Sequence, residues 1–143
     1  MKTNLPNLEI QVANEIHRLH QFFVDWFNGE LPKTEKSFAD FRSATADTFT
    51  IIGPSGSMME IDQLAAMLFE AHDKRPGLQI EVKNVKVQQS IGDYVLATYE
   101  EWQLEHGAES WTSRISTSLL CQNEAAPSGL MWHHVHETWF SEE

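Results

Sequence analysis

Residues Met131 to Phe140 read MWHHVHETWF, three histidines and a glutamate within five positions, with two tryptophans around them. Imidazoles and carboxylates at that density can ligate a metal ion or move protons. The zinc-protease pattern H-E-x-x-H fails, because Phe140 stands where its second histidine belongs. The tryptophans and Val135 favour a buried strand, whose side chains alternate between two faces. On a strand, His134 and His136 share one face, while His133 and Glu137 share the other. A metal on the first pair needs a third ligand from the next strand, and Ile115, Thr117 and Leu119 supply none. We therefore expect no metal and no cofactor; the histidines read as interface or surface groups.

A second constellation lies upstream. In DYVLATYEEWQL and SWTSRISTSLLC a turn centred on Gly107 would oppose Glu100 to Arg114 and Trp102 to Thr112. Directly opposed residues share a face at about 5 Å between Cβ atoms. The pair has two readings. It is a structural ion pair, or it is a clamp in which Arg114 fixes an anionic or carbonyl oxygen and Glu100 orients it. Glu137 has the same two sides: inward beside Trp139, desolvation raises its pKa toward that of a general acid or base; otherwise it only partners Arg114. Ser116 and Ser118 add hydroxyls to that face, with no histidine or aspartate placed to make a nucleophilic triad. Trp26, Phe27, Trp102 and Trp139 fit either a core or the wall of an apolar ligand site.

The elements that must position these groups follow from periodicity. Leu8, Val12, Ile16, Leu19, Phe23 and Phe27 recur at steps of three and four, one stripe on a helix of about five turns, ended by Asn28-Gly29. Thr34 caps a short second helix carrying Phe38 and Phe41. Thr48 to Ile52 reads as a strand, cut by Gly53-Pro54-Ser55-Gly56. Ile61, Leu64, Leu68 and Ala71 mark a third helix, stopped by Arg75-Pro76-Gly77. From residue 78 the period becomes two: four strands joined by short turns, with a slip at Asn84 that predicts a β-bulge. Helices first and sheet after is the α+β pattern.

Composition bounds the partners. The 143 residues predict one domain, 1–143, and a formal charge of −11 excludes the basic face that nucleic acid or an anionic membrane requires. No apolar run approaches the roughly 18 residues of a membrane span, and MKTNLPNLEIQ has no signal-peptide core. Cys121 is the only cysteine, which fits a reducing, cytoplasmic setting.

With FNGE closing the first helix, IIGPSG after the first strand, YEEW, SRIS and WHHVHETW on later strands, the chain resembles the nuclear transport factor 2-like superfamily. The resemblance implies a cone-shaped, cystatin-like α+β fold: three helices on a curved antiparallel sheet, a pocket between them, and a homodimer. It does not imply one chemistry. Where ketosteroid isomerases of that superfamily carry a base aspartate this sequence has Gly53, and its only tyrosines are Tyr94 and Tyr99 rather than one on the first helix. Relatives place a residue like Arg114 inside the pocket. That comparison turns Leu96, Thr98, Glu100, Trp102 and Leu104 inward, with His133, Val135, Glu137 and Trp139; one bulge would invert the last strand. Trp111, Ile115, Leu119, Trp132, His134 and His136 are left on the convex face as the expected homodimer surface.

Together these readings favour a domain that binds a small, mostly apolar molecule bearing a carboxylate or carbonyl. Its expected ligand residues are Trp26, Phe27, Trp102, Arg114, Ser116, Glu137 and Trp139. A lyase or isomerase using Glu100 or Glu137 as base is the alternative, and a homo-oligomeric assembly module without ligand is a third.

Overall fold

The computed structural model describes residues 5–140. Helix α1 (Leu5–Phe27) buries Leu8, Val12, Ile16, Leu19, Phe22 and Trp26 along one face. It stops where Gly29 takes a positive φ of 73° and the Asn28 carboxamide turns back to donate to the Val24 carbonyl at 2.8 Å. Helix α2 (Glu35–Arg42) starts at Thr34, whose hydroxyl accepts from the Ser37 amide at 3.2 Å, and buries Phe38 and Phe41. Strand β1 (Thr45–Ile52) turns through Gly53–Ser57 into a short β2 (Met58–Glu60), and a capping box between Glu60 and Gln63 opens α3 (Ile61–Glu70). Trp26 ties α1 to α3 by donating to the Leu68 carbonyl at 2.7 Å.

Strands β3 (Gln79–Ile91), β4 (Tyr94–Leu104), β5 (Thr112–Gln122) and β6 (Leu130–Trp139) form the expected antiparallel meander. The six-stranded sheet runs β2-β1-β6-β5-β4-β3. One pair departs from an antiparallel sheet: β1 and β6 run parallel, because the chain leaves β1 and returns, through α3, at the far edge of the sheet. The bulge sits at Asn84, with φ of 56° and a slip of register between Lys83 and Lys86. Among the described residues no helix is long and apolar enough to cross a membrane.

A bulge also occurs in β6, where Leu119 pairs with His134 but Leu120 pairs with Trp132. His133 is the extra residue, and the face inverts there. Val135 and Glu137 keep the inward side, but Trp132 turns inward as well, 1 % exposed, instead of lying on the convex face. Its indole donates at 2.7 Å to Glu15, a fully buried carboxylate of α1 that also holds Arg18 at 2.7 Å. His133 moves to the outer side, its ring 5.6 Å from that of Tyr94.

Candidate functional site

The inner face of β4 is the one that carries Val95, Ala97, Tyr99 and Glu101, all buried. This corrects the expected assignment. Glu101, not Glu100, stands opposite Arg114, and Glu100 stands opposite Ile115. The loop between β4 and β5, closed by the Ala108 amide donating to the Glu105 carbonyl, holds one residue more than a turn centred on Gly107 requires. One residue of register exchanges the two faces of a strand. Glu100 therefore lies outside, accepting from Asn84 at 2.5 Å and from the Trp102 indole at 3.0 Å. Trp102 lies outside with it, under the Lys83 ammonium at 4.5 Å.

Register then fixes which groups meet. Glu101, Arg114 and Trp139 form one row across β4, β5 and β6; Tyr99, Ser116 and Glu137 form the next; Ala97, Ser118 and Val135 the third. Above the sheet, His20 of α1 reaches Glu101, Nε2 to Oε1 at 2.9 Å, while its Nδ1 lies 2.7 Å from the Ile16 carbonyl. Both partners are acceptors, so the ring must carry both protons to satisfy them. Burial alone would lower the pKa of His20. The Glu101 charge and hydrogen bond outweigh it, with help from Ile16, and the pKa is raised. For Glu101, burial pushes up, but the His20 charge and hydrogen bond and then Arg114 bring the pKa down to about 2. His20 and Glu101 form a charged pair inside the fold.

Arg114 Nη1 lies 3.5 Å from Glu137, and its guanidinium lies 5.0 Å from the centre of the Trp139 ring. Trp139 is half exposed, and its indole donates to the Ser55 hydroxyl at 3.3 Å. Glu137 is the opposite of Glu101. Burial first, then repulsion from Glu101, raises its pKa to about 7, only partly offset by Arg114 and His20. Burial and the same two carboxylates push the Tyr99 phenol well above its usual value. The Ser116 hydroxyl, directly opposite Tyr99, hydrogen-bonds the phenol and partly offsets that rise, while the buried Arg114 Nε finds no hydrogen-bond partner among the described residues. Leaving a buried donor unpaired costs about 1–3 kcal/mol.

A cavity of about 60 Å³ opens beside this cluster; His20, Tyr99, Glu101 and Glu137 border it, Arg114, Ser116 and Trp139 do not, and the surface it presents is apolar. Phe23, Phe41, Phe49, Leu64, Trp132 and Val135 complete its walls. A water occupies about 30 Å³ of liquid, and a cavity of about 150 Å³ holds benzene. The space takes a head group of a few atoms, not a whole ring.

Of the residues anticipated from sequence, Arg114, Ser116, Glu137 and Trp139 come together. Trp26 packs among Phe22, Phe38 and Phe69, away from the cavity, and Phe27 lies beneath Arg75. Glu100 and Trp102 are on the other face. His20 and Glu101 escaped notice. His20 falls within the apolar run of α1, where a histidine one residue after the stripe carries little signal; Glu101 needed the register.

Residues 12–141 match the family model described as sucrose-6-phosphate phosphohydrolase C-terminal. Sucrose-phosphatase 2 of Nicotiana tabacum is 28 % identical over 132 residues, which is 90 % of this chain but 31 % of that enzyme. The chain thus spans about a third of the length of the plant relatives it matches. A nuclear transport factor 2-like protein of unknown function from Pseudomonas aeruginosa superposes with a TM-score of 0.80 at 25 % identity, covering 92 % of this chain and 99 % of that one. The CaMKII hub of S. rosetta gives 0.68 at 14 % identity, over 91 % and 95 %. The fold is the nuclear transport factor 2-like, cystatin-like cone.

Proposed function

The chain belongs to the sucrose-6-phosphate phosphohydrolase C-terminal family, and from that premise we propose that it is a small-molecule-binding domain. Its site is the cavity between α1 and the inner face of β4, β5 and β6. One observation carries this reading: the cavity reaches Glu137, whose partner Arg114 keeps a buried Nε–H without a hydrogen-bond acceptor among the described residues. Among folded proteins such groups are rare, and a ligand oxygen is the natural acceptor for them. The ligand presents a carbonyl or carboxyl head of a few atoms toward Glu137 and Arg114, while its remaining part extends past the half-exposed Trp139.

Backbone and side-chain NMR of the folded chain, titrated with small carbonyl compounds and acids, tests this. The Arg114 Nε–H and Trp139 indole signals should shift saturably, and Arg114→Met should remove the response. Trp102→Ala, on the outer face, should leave it intact. If no compound of either kind moves these signals, the site is closed core.

A second reading has its own observation. Glu137, whose carboxyl pKa is raised to about 7 chiefly by burial, borders the cavity, and a carboxylate tuned upward toward neutrality suits proton abstraction next to a carbonyl. Glu100 has no part in it from the outer face, and Glu101 is held as a carboxylate by His20. Catalysed exchange of the α-hydrogens of an added ketone in D₂O, lost in Glu137→Gln, would establish a lyase or isomerase base. No catalysed exchange with the wild type would leave a binding site alone.

A further inference from the structure

Polar residues border the cavity, yet the surface it presents is apolar. The hydrogen bonds explain this. His20 directs Nδ1 at the Ile16 carbonyl and Nε2 at Glu101. The second oxygen of Glu101 accepts from the Gln103 carboxamide at 2.6 Å, and the Tyr99 phenol pairs with Ser116. Glu137 faces Arg114, and the Thr45 hydroxyl donates to the Arg42 carbonyl at 3.0 Å. The Trp132 indole N–H also points away, to Glu15. Each polar side chain at the border is held by a partner in the protein and turns carbon toward the space.

A buried water requires about two to four polar partners, and none faces it here. What fills the space is therefore apolar. Size narrows the choice further. A volume of about 60 Å³ is twice the roughly 30 Å³ of a water in the liquid, and far below the roughly 150 Å³ that admits benzene. That leaves room for about two carbon groups. Nor is the space sealed. Phe23 of α1, Ile51 of β1 and Glu137 of β6 are partly exposed, while Leu64, Trp132 and Val135 are buried. The opening thus lies between α1 and the parallel β1–β6 pair. A void left empty forfeits dispersion contacts along its walls, which an entering alkyl group restores.

We propose, resting on the binding reading above, that the part of the ligand inside the cavity is a short alkyl end of about two carbons. Its carbonyl stays outside that space, toward Glu137 and Arg114. The ligand class is then a small acyl compound of the propionyl kind, and aromatic acyl compounds are shut out by size.

The test puts two kinds of probe on the folded chain: xenon, and the amides formamide, acetamide, propionamide and benzamide. Methyl signals of Leu64 and Val135 report the cavity, and the Arg114 Nε–H signal reports the carbonyl. Xenon should shift both methyl groups saturably. Along the series, each carbon added up to propionamide should tighten binding about fourfold, the gain for burying one methylene. Benzamide should bind no better than formamide. The ethyl protons of bound propionamide should give NOEs to Leu64 and Val135, a readout that needs no variant. Val135→Ile, which fills part of the space, should weaken xenon and propionamide about tenfold and hold formamide within about twofold, without lowering the melting temperature. A series flat from formamide to propionamide, benzamide as tight as propionamide, or absent NOEs overturns the proposal while the binding reading stands. Xenon that leaves Leu64 and Val135 unmoved overturns it as well. If no amide moves the Arg114 signal, the binding reading falls and the proposal with it.

Discussion

His20 and Glu101, 81 residues apart in the chain, meet at 2.9 Å and join the middle of α1 to the inner face of β4. Their pKa shifts set a pH profile for stability. The raised pKa of His20 stabilises fully below its usual 6.5, and the contribution fades as pH rises through the folded value. The lowered pKa of Glu101 stabilises above its usual 4.5 and is lost as pH falls toward about 2. Glu137 is raised from 4.5 to about 7, so its contribution is present in acid and lost over that interval as it ionises. Urea midpoints should therefore be highest at about pH 5 and fall by pH 8, where both His20 and Glu137 have lost ground. Glu137→Gln should flatten that fall. A profile rising steadily to pH 8 would contradict the cluster.

Arg114 is the cation that both inward carboxylates share. Arg114→Met keeps most of the volume and should cost roughly 3 kcal/mol, the penalty of breaking a buried ion pair from one side. The loss should be smaller at pH 5 than at pH 8, because Glu137 can accept a proton when its partner is gone. Chemical denaturation at the two pH values reads both effects.

Glu100 and Glu101 are neighbours with opposite expected behaviour. Glu101→Gln should destabilise by about 2 kcal/mol at pH 6 and lower the pKa of His20, visible in its ring proton shifts. Glu100→Gln should stay within about 0.5 kcal/mol, as exposed polar changes do. Equal effects would mean that the faces of β4 are not distinguished.

That pair also shows how far the residues alone carry. Helix stripes, the change to a period of two at residue 78, the bulge at Asn84 and the α+β cone all follow from local patterns. Arg114, Ser116, Glu137 and Trp139 were recognisable as one group, because strand alternation on β5 and the lower part of β6 is undisturbed. Glu101 was not, since both glutamates of YEEW satisfy alternation, and only the closure of the loop after residue 104 decides between them. Trp132 was lost to a bulge at His133, where nothing local requires the extra residue. The parallel pairing of β1 with β6 is a contact between distant segments that leaves no periodic trace in either.

Self-association through the outer face of β4, β5 and β6 is expected, now without Trp132. Ile115 is 41 % exposed and Tyr94 46 % exposed there, in line with Leu119, His134 and His136, and Trp111 precedes the strand that carries them. Sedimentation equilibrium should show a dimer at micromolar concentration, and Ile115→Asp should shift it toward monomer. A wild-type monomer under those conditions removes this expectation and, with it, the assembly reading.

The position of β6 has a consequence for how the chain comes into being. It follows every other described element in sequence, yet it lies between β1 and β5 in the sheet. Each row of the site ends on one of its residues: Trp139, Glu137 or Val135. A nascent chain that has emerged from the ribosome only as far as β5 therefore carries two unpaired strand edges where one slot should be, and open edges of that kind recruit other chains. The missing strand comes from residues made after every other described element, against a closure entropy spanning most of the described sequence. The cavity, walled in part by Trp132, Val135 and Glu137, cannot be complete before β6 has emerged, and a translational pause before residue 130 would expose both edges for as long as it lasted.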